Sequence, residues 1–245
     1  MSYFKVNKID AIKSTNDFLK ELYLKKKISD RFLLIANDQF KGRGQRNSTW
    51  LSEAGKNITL SIYKEFKEME VTNPFIINCL VSIAILDTLK EFNLPNLSIK
   101  WPNEILSGDK KLCGILIENF FRKDIVNASI IGIGLNVNQI NFQNLPKASS
   151  MYLKTGNYIE INDVFNKLIF YLEKYLKKIK ELKFDKIIVV YESNLYRKNI
   201  ASTFIHNEKY FTGYIKGISN TGKLKVKNKV DGLREFNFKE IKLIN

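Results

Sequence analysis

The chain has 245 residues, of which 44% are hydrophobic, and this length allows one large domain or one large and one small domain with a buried core. Its formal net charge of +15 suggests nucleic-acid binding, but the lysines are spread along the chain, and the densest basic block is Lys25-Lys26-Lys27. We interpret the charge mainly as a solvated, lysine-rich surface, with attraction of an acidic protein or a polyphosphate as the alternative.

The sequence also argues against a membrane or secreted protein. No apolar run approaches the roughly 18 residues that span a membrane. The start of the chain alternates polar and apolar residues, unlike a signal peptide. Cys79 and Cys113 lie far apart, and neither belongs to a C-x-x-C pair, which argues against a disulfide framework and a thiolate zinc site. We therefore expect a cytoplasmic location and no membrane partner.

The first fifty residues predict a strand, a helix, a strand and a loop. A strand over residues 3–9 precedes a helix that begins at Ser14, where Ser14 and Asp17 form a start that resembles a capping box. The apolar residues 32–36 indicate a buried strand. Residues 37–50 are polar and contain glycine, which indicates a loop.

The middle of the chain predicts more strands and two long helices. Asn73-Pro74 is expected to begin a helix that ends near Phe92, with proline where its missing N–H costs nothing. Strands are predicted over residues 57–63, 97–101, 111–118 and 125–136. An amphipathic helix is predicted from Asn162 onward.

The pattern of predicted elements changes after about Ser193. Short strand-like runs alternate there with the turn signals Asn207-Glu208, Asn220-Thr221-Gly222 and Asp231-Gly232. The predicted strands cover residues 201–206, 209–216, 223–229 and 233–238. This pattern favours a small β-barrel, so we predict a catalytic domain over residues 1–192 and a C-terminal domain over residues 193–245.

The first segment that carries chemistry is residues 41–50. Two glycines, Gly42 and Gly44, flank Arg43, so the backbone can approach an anionic ligand and turn its N–H groups inward. Arg43 and Arg46 can donate forked hydrogen bonds to a phosphate or carboxylate, and Trp50 can stack on a base. The segment lacks the P-loop pattern, so by itself a mobile basic surface loop is the alternative.

The second segment is Lys100-Trp101-Pro102-Asn103-Glu104. A strand that ends in Pro-Asn-Glu places an amide and a carboxylate at a strand end, where ligands commonly bind, and Glu104 can help to hold Mg²⁺. Taken alone, a plain turn explains this segment better.

The third segment runs from Lys110 to Glu118. Lys111 lies at the start of an apolar strand, near Gly114, and is well placed to neutralise a carboxylate or an α-phosphate. A solvent-facing lysine at a hairpin end is the equal alternative. Cys113 has no histidine partner in sight, so we interpret it as a small core residue rather than a nucleophile.

The fourth segment runs from Ile131 to Asn138. Gly132 and Gly134 share one face of a strand and leave a groove where a flat ligand can approach the backbone. Asn136 follows them and can donate to a ribose or phosphate. A tight sheet crossing is the alternative.

In this order, the four segments resemble the biotin–protein ligase family. The family's G-R-G-R-x-G-R-x-W, K-W-P-N-D, K-x-x-G-I-L-x-E and G-I-G-[IL]-N-V-N motifs are similar to residues 42–50, 100–104, 111–118 and 132–138. The family's S-T-N helix start matches Ser14-Thr15-Asn16. Its glutamine just before the glycine-containing motif matches Gln39. The resemblance runs from about residue 5 to the end of the chain.

The chain departs from the family pattern at four positions. They are Gln45 for arginine, Asn47 for glycine, Ser48 for arginine and Glu104 for aspartate. Charge compensation in the loop is therefore expected to fall on Arg43 and Arg46.

The resemblance implies an α+β fold, with the class II synthetase-like mixed sheet of the biotin–lipoate ligases, helices, and a small C-terminal SH3-like β-barrel. It implies an enzyme that uses ATP and Mg²⁺ to convert biotin into biotinyl-5′-AMP. The biotinyl group is then transferred to a lysine of a biotin carboxyl carrier protein. Oligomeric state stays open between monomer and homodimer.

The resemblance also assigns roles to residues. Lys111 and Arg43 are expected to be catalytic, and Glu104 to bind the metal. The expected biotin-binding residues are Ser14, Thr15, Asn16, Gln39, Arg43, Gly44, Gln45, Lys111, Gly114, Gly132 and Gly134. The expected ATP-binding residues are Arg43, Arg46, Trp50, Asn103, Lys111 and Asn136.

Two alternatives remain. A lipoate–protein ligase shares the fold, but that family shows an R-R-x-x-G-G-G loop and a histidine–aspartate pair, whereas this chain has one histidine, His206, and no triple glycine. A basic nucleic-acid-binding protein would need a contiguous lysine and arginine face. Family members that repress transcription carry a DNA-binding domain before the S-T-N helix; only 13 residues precede Ser14 here, so no DNA partner is expected.

Overall fold

The fold was analysed in a computed structural model, which describes residues 3–45, 48–66, 71–143, 145–179, 181 and 183–244. The strands are β1 (Lys5–Ile12), β2 (Phe32–Gln39), β3 (Gly42–Arg43), β4 (Thr49–Trp50), β5 (Asn57–Glu65), β6 (Leu97–Lys100), β7 (Glu104–Ser107), β8 (Lys110–Arg122), β9 (Ile125–Asn136), β10 (Ala201–His206), β11 (Lys209–Ile218), β12 (Leu224–Asn228), β13 (Gly232–Phe236) and β14 (Lys242–Ile244). The helices are α1 (Thr15–Leu24), α2 (Phe75–Lys90), α3 (Met151–Thr155), α4 (Ile161–Lys177) and α5 (Phe184–Ser193).

The larger part of the chain is built on a seven-stranded mixed sheet in the order β1-β2-β5-β9-β8-β7-β6. Among the described strands of this sheet, β1 and β2 form the one parallel pair, and the connection between them contains α1, as a parallel pair requires a crossover. The central strand β5 is buried along nearly its whole length. This continuous burial follows from helices that cover both faces of the sheet.

The two faces carry different helices. Helix α2 is apolar on all sides and is almost entirely buried, because α4 and α5 pack over it. Helix α1 lies on the opposite face against β2, β5 and β9, in a smaller core that contains Leu19, Tyr63, Ala128 and Ile130. None of the helices in the described ranges is both long and apolar enough to cross a membrane.

Strand alternation explains where this smaller core ends. Side chains two residues apart share a face, so Gly132 and Gly134 continue the row of Ala128 and Ile130 on the α1 side. At Gly132 and Gly134 that row has no side chains. The sheet therefore leaves an open space next to the beginning of α1.

Most of the predicted elements are confirmed. Ser14 caps α1, and its hydroxyl accepts a hydrogen bond from the backbone N–H of Asp17 at 3.3 Å. The segment over residues 37–50 is less loop-like than expected, because β2 continues to Gln39 and the two-residue strands β3 and β4 pair with each other. The sequence analysis did not find β7, α3, α5 or β14, each of which is either very short or lacks a distinct boundary signal.

The C-terminal part forms a five-stranded antiparallel sheet in the order β13-β12-β11-β10-β14. Asn207 and Glu208 both have positive φ angles, 47° and 63°, and close the two-residue hairpin between β10 and β11. The mixed α+β architecture is confirmed. The SH3-like barrel and the boundary at residue 193 stay predictions. This sheet contacts the larger one where the indole N–H of Trp101 donates to the carbonyl of Gly222 at 3.0 Å.

Candidate functional site

A cavity of about 560 Å³ lies over the glycine-bearing strands, between the start of α1 and the C-terminal sheet. Its lining includes most of the predicted site residues: Ser14, Thr15, Asn16, Gln39, Arg43, Gly44, Gln45, Trp50, Asn103, Glu104, Lys111, Gly114, Gly132 and Gly134. Asn136 does not line it, and Arg46 and Asn47 lie outside the described residues. The fold thus brings together four segments that are far apart in the sequence.

The floor of the cavity is made of backbone. Gly114 of β8 pairs directly with Gly134 of β9, and Gly132 is the next residue on the same face. A Cβ atom at Gly132 would overlap the side-chain oxygen of Asn16, and one at Gly134 would overlap the indole of Trp50. The absence of side chains at these positions lets Asn16 and Trp50 lie against the strands.

Polar side chains at the α1 end form a connected network. The backbone N–H and the hydroxyl of Thr15 both donate to Oε1 of Gln39, at 2.8 and 3.0 Å. The Ser61 hydroxyl lies 2.7 Å from Thr15 Oγ1 and 2.6 Å from Asn16 Oδ1. All four residues are buried. Such a fixed set of donors and acceptors suits a neutral polar ligand with a defined hydrogen-bonding pattern.

Glu118 of β8 extends this network to residues 42–45, which contain Gly42, Arg43 and Gly44 and are called the glycine loop below. Its carboxylate accepts from the side-chain amide of Asn16 at 3.1 Å, from Lys20 at 3.1 Å and from the guanidinium of Arg43 at 3.2 Å. Arg43 also forms an ion pair with Asp17. Burial raises the pKa of Glu118, but hydrogen bonds from Lys20 and Asn16 and the charge of Arg43 outweigh it, so the pKa lies below its ordinary value.

The other end of the cavity is charged. The Lys111 ammonium donates to Glu104 at 2.7 Å, and Lys100 lies 3.2 Å from the second oxygen of the same carboxylate. Burial raises the pKa of Glu104, but the charges and hydrogen bonds of Lys111 and Lys100 lower it by more than burial raises it. The pKa therefore lies below its ordinary value. Two cations, one on β6 and one on β8, therefore face the cavity, and both pair with the carboxylate of Glu104 on β7, the strand between them.

Trp50 joins the two ends. Its indole lies over Gly134 and Gly114, and the Lys111 ammonium lies 5.6 Å from the ring centroid. Among the described residues, the buried indole Nε1 has no hydrogen-bond partner. A buried donor without a partner is costly, so this atom is suited to a ligand that accepts a hydrogen bond.

Two predicted site residues use their side-chain amides to hydrogen-bond backbone carbonyl groups. The side-chain amide of Asn103 donates to the Ile115 carbonyl at 2.6 Å, although Asn103 also lines the cavity. Asn136 is buried and donates to the Ser149 carbonyl at 2.9 Å. Its predicted role in nucleotide binding stays a prediction, with no cavity contact to support it.

A protein-held magnesium site is not supported by the arrangement at Glu104. The described residues contain no group of three or more histidine, cysteine, aspartate or glutamate side chains that could hold a metal. The Glu104 carboxylate already accepts from two ammonium groups. Its metal-binding role stays a prediction.

The interpretation of Cys113 as a core residue agrees with the structure. Its thiol is fully buried, and burial raises its pKa, with only partial compensation by the charge of Lys111. A protonated, buried thiol is a poor nucleophile.

Sequence reasoning missed two groups of site residues. Ser61 and Glu118 act through the fold, since Ser61 gives no local signal, and Glu118 was noticed only as the end of a motif. The C-terminal part contributes a wall that no sequence pattern indicated: Tyr196, Ile215, Leu224, Phe238, Ile241, Lys242 and Leu243.

Comparisons with known proteins agree on one family. The sequence model described as "Biotin/lipoate A/B protein ligase family" matches residues 9–136, more than half of the chain. The bifunctional ligase/repressor BirA of Bacillus subtilis (strain 168) is 29% identical over 188 residues, which are 75% of this chain and 57% of that protein. The biotin–[acetyl-CoA-carboxylase] ligase of Mycobacterium tuberculosis is 31% identical over 125 residues, 50% of this chain and 45% of that protein. The chain thus spans about half the length of these relatives.

A solved structure matches over nearly the whole chain. The biotin protein ligase from Aquifex aeolicus, in complex with biotin and ATP, superposes with a TM-score of 0.83 at 28% sequence identity. The match covers 99% of this chain and 100% of that one. The C-terminal sheet and the cavity therefore lie within the matched region.

Proposed function

Because the chain belongs to the biotin/lipoate A/B protein ligase family, we propose that it is a biotin–protein ligase that activates biotin with ATP. The product of activation is biotinyl-5′-AMP, and the biotinyl group then passes to a lysine of a carrier protein of biotin-dependent carboxylases. The observation that carries this proposal is the cavity itself. A closed polar network and a pair of lysines are joined there by a glycine floor.

The polar end suits the ureido group of biotin. A ureido group has one carbonyl acceptor and two N–H donors, and Ser14, Thr15, Asn16 and Gln39 supply matching groups. The flat glycine strands beside them suit the adjoining ring. Biotin bound in this way directs its carboxylate toward Lys111.

The charged end suits the meeting of two anions. In the activation step, a carboxylate oxygen of biotin attacks the α-phosphorus of ATP, the new O–P bond forms, and the bond to pyrophosphate breaks. Lys111 neutralises the developing charge on the reacting oxygens, as preorganised cations do in a site with little water. Lys100 is placed to share this load.

Magnesium, as the partner of ATP, supplies charge neutralisation on the phosphates. Since Glu104 is already paired with two lysines, we expect the ion to be carried mainly by the nucleotide's own oxygens.

The transfer step needs no covalent enzyme intermediate. The neutral amine of the carrier lysine attacks the carbonyl carbon of the mixed anhydride, the C–O bond to AMP breaks, and the amine loses a proton to water. The Trp50 indole lies over the glycine floor of the cavity and excludes water there, which limits hydrolysis of the anhydride. The buried free cysteines support the expected reducing, cytoplasmic location.

The test is a biotinylation assay. The chain is incubated with ATP, Mg²⁺, biotin and a biotin carrier domain, and the carrier is examined by mass spectrometry for one added biotinyl group. A carrier whose acceptor lysine is replaced by arginine serves as the control. Lipoate in place of biotin tests the related activity within the family. Absence of any gain with biotin would overturn the proposal, and modification by lipoate alone would replace it.

A further inference from the structure

Glu118 lies outside the cavity lining, yet its carboxylate accepts hydrogen bonds from Asn16, Lys20 and Arg43. It lies on β8, four residues beyond Gly114 and on the same face of the strand. Its three partners come from α1 and from the glycine loop. A single carboxylate thus links two segments that the chain delivers separately.

One arm of this arrangement fixes the amide of Asn16. The Asn16 Nδ2 group donates to Glu118 and lies 3.3 Å from the Leu116 carbonyl, while its Oδ1 lies 2.6 Å from the Ser61 hydroxyl. With partners at both ends, the amide has only one favourable orientation. Loss of the carboxylate removes the charged and shorter of the two acceptors of Nδ2, and leaves only the Leu116 carbonyl to distinguish the nitrogen end from the oxygen end.

The other arm holds the glycine loop. The Arg43 guanidinium is bound by Glu118 and by Asp17, so the loop is tied to the first turn of α1. The family resemblance assigns Arg43 to catalysis and to the binding of both biotin and ATP; in this structure two carboxylates at the α1 end of the cavity already match its charge. A single exposed ion pair contributes little, whereas two carboxylates on one guanidinium form a network.

We infer that Glu118 is a positioning residue for biotin: it orients Asn16 and, with Asp17 and Arg43, holds the glycine loop over the biotin end of the cavity. The inference rests on the proposed function and adds a role for residues that do not touch the substrate. Such a role affects binding of biotin equally in the ground state and in the transition state, so it changes KM and leaves kcat nearly constant.

The experiment compares three variants with the wild type by calorimetric biotin binding and by steady-state activation with ATP. Glu118→Gln is expected to raise both the dissociation constant and the KM for biotin about tenfold, with kcat within about twofold, as fits the loss of one charge-assisted hydrogen bond. Asp17→Asn, which loosens only the Arg43 arm, is expected to raise the KM for biotin about threefold.

Glu91→Gln is the matched control. Glu91 also accepts from a lysine and a second donor, Lys167 at 3.0 Å and Tyr171 at 2.7 Å, but it lies between α2 and α4 on the other face of the sheet. It should leave biotin KM unchanged. Thermal melting of every variant separates loss of binding from loss of folding.

The outcomes are distinct. If the wild type neither binds biotin nor forms the adenylate, the proposed function fails. If the wild type does both but Glu118→Gln binds biotin within twofold of it, or lowers kcat at an unchanged KM, the inference about Glu118 is wrong. Should Glu118→Gln fail to fold, Asp17→Asn decides, because its side chain is half exposed. An unchanged KM in that variant overturns the inference, and a raised one supports it.

Discussion

At the α1 end of the cavity, both polar ends of the Asn16 amide are hydrogen-bonded, and the Ser61 hydroxyl lies between two partners. At the opposite end, Lys111 and Lys100 share one carboxylate, and the described part of the chain offers the Trp50 indole N–H no acceptor. The difference fits the two ligands proposed. A neutral ureido group is selected by hydrogen-bonding side chains whose positions are fixed before it binds. An anionic ligand instead binds to lysines that can exchange the Glu104 carboxylate for the ligand. The predictions that follow test this division.

The largest effect is expected at the charged end. Lys111→Ala should reduce adenylate formation by roughly a thousandfold or more, as removal of a central charge-stabilising group does. Biotin binding should fall by no more than about threefold, because the polar network is intact. Pyrophosphate release and calorimetry provide the two measurements. Full activity of this variant would falsify the assignment of Lys111.

Alanine at the two glycines of β9 should separate the ends. Gly132→Ala places a methyl group against Asn16, and Gly134→Ala places one against Trp50. Overpacking of about 1–3 kcal/mol predicts a loss of about ten- to a hundredfold in biotin affinity for the first. Gly134→Ala should weaken ATP binding by a similar factor and should reduce the affinity for biotin by less than Gly132→Ala does. Equal effects of both variants on both ligands would contradict the division.

A smaller change is expected at Ser61. Ser61→Ala should raise the KM for biotin about five- to tenfold, since Thr15 and Asn16 both lose a partner within a buried network. Ser129→Ala is the control, because Ser129 is a buried serine of β9 that bonds Asn119 at 2.6 Å. It should lower stability without a change in KM. A change in KM for Ser129→Ala would show that the assay reports general destabilisation.

The smallest effect concerns the pH dependence of stability. The pKa of Glu104 is lowered in the folded state, so its stabilising contribution is present above the ordinary glutamate pKa of about 4.3 and is lost as the pH falls through the folded value. The difference in free energy of unfolding between wild type and Glu104→Gln should therefore be largest near neutral pH and shrink in acid. Urea unfolding at several pH values measures it. A difference that grows toward acid would mean that the lysines do not stabilise the carboxylate.

The local signals in the sequence predicted a large part of the fold. Ser14 was placed as a helix cap from its spacing to Asp17, and the structure confirms it. The hairpin at Asn207-Glu208 was predicted from its residue types alone and carries the positive φ angles that such a turn requires. Both signals depend on neighbours along the chain, which is why they can be read without a structure.

Glu118 and the cavity wall formed by the C-terminal part could not be predicted from local sequence signals. Glu118 meets Arg43 and Asn16 across 75 and 102 residues of sequence, and no local pattern announces that contact. Tyr196, Phe238 and Lys242 reach the cavity because the C-terminal part packs beside the end of β6, where Leu195 bridges to Ile99 and the Trp101 indole donates to Gly222. The short strand β7 was missed for a related reason, since its four residues are fixed by pairing with β6 and β8.

The sequence by itself determined the family resemblance, the order of the longer strands and of three of the helices, and the identity of many cavity residues, because residue type and spacing carry that information. The tertiary structure alone decided which residues meet. It placed Arg43 against two carboxylates, joined Lys100 and Lys111 through Glu104, and removed Asn136 from the cavity lining. These outcomes depend on strand order and register, which set the distances between charges that are remote in the chain.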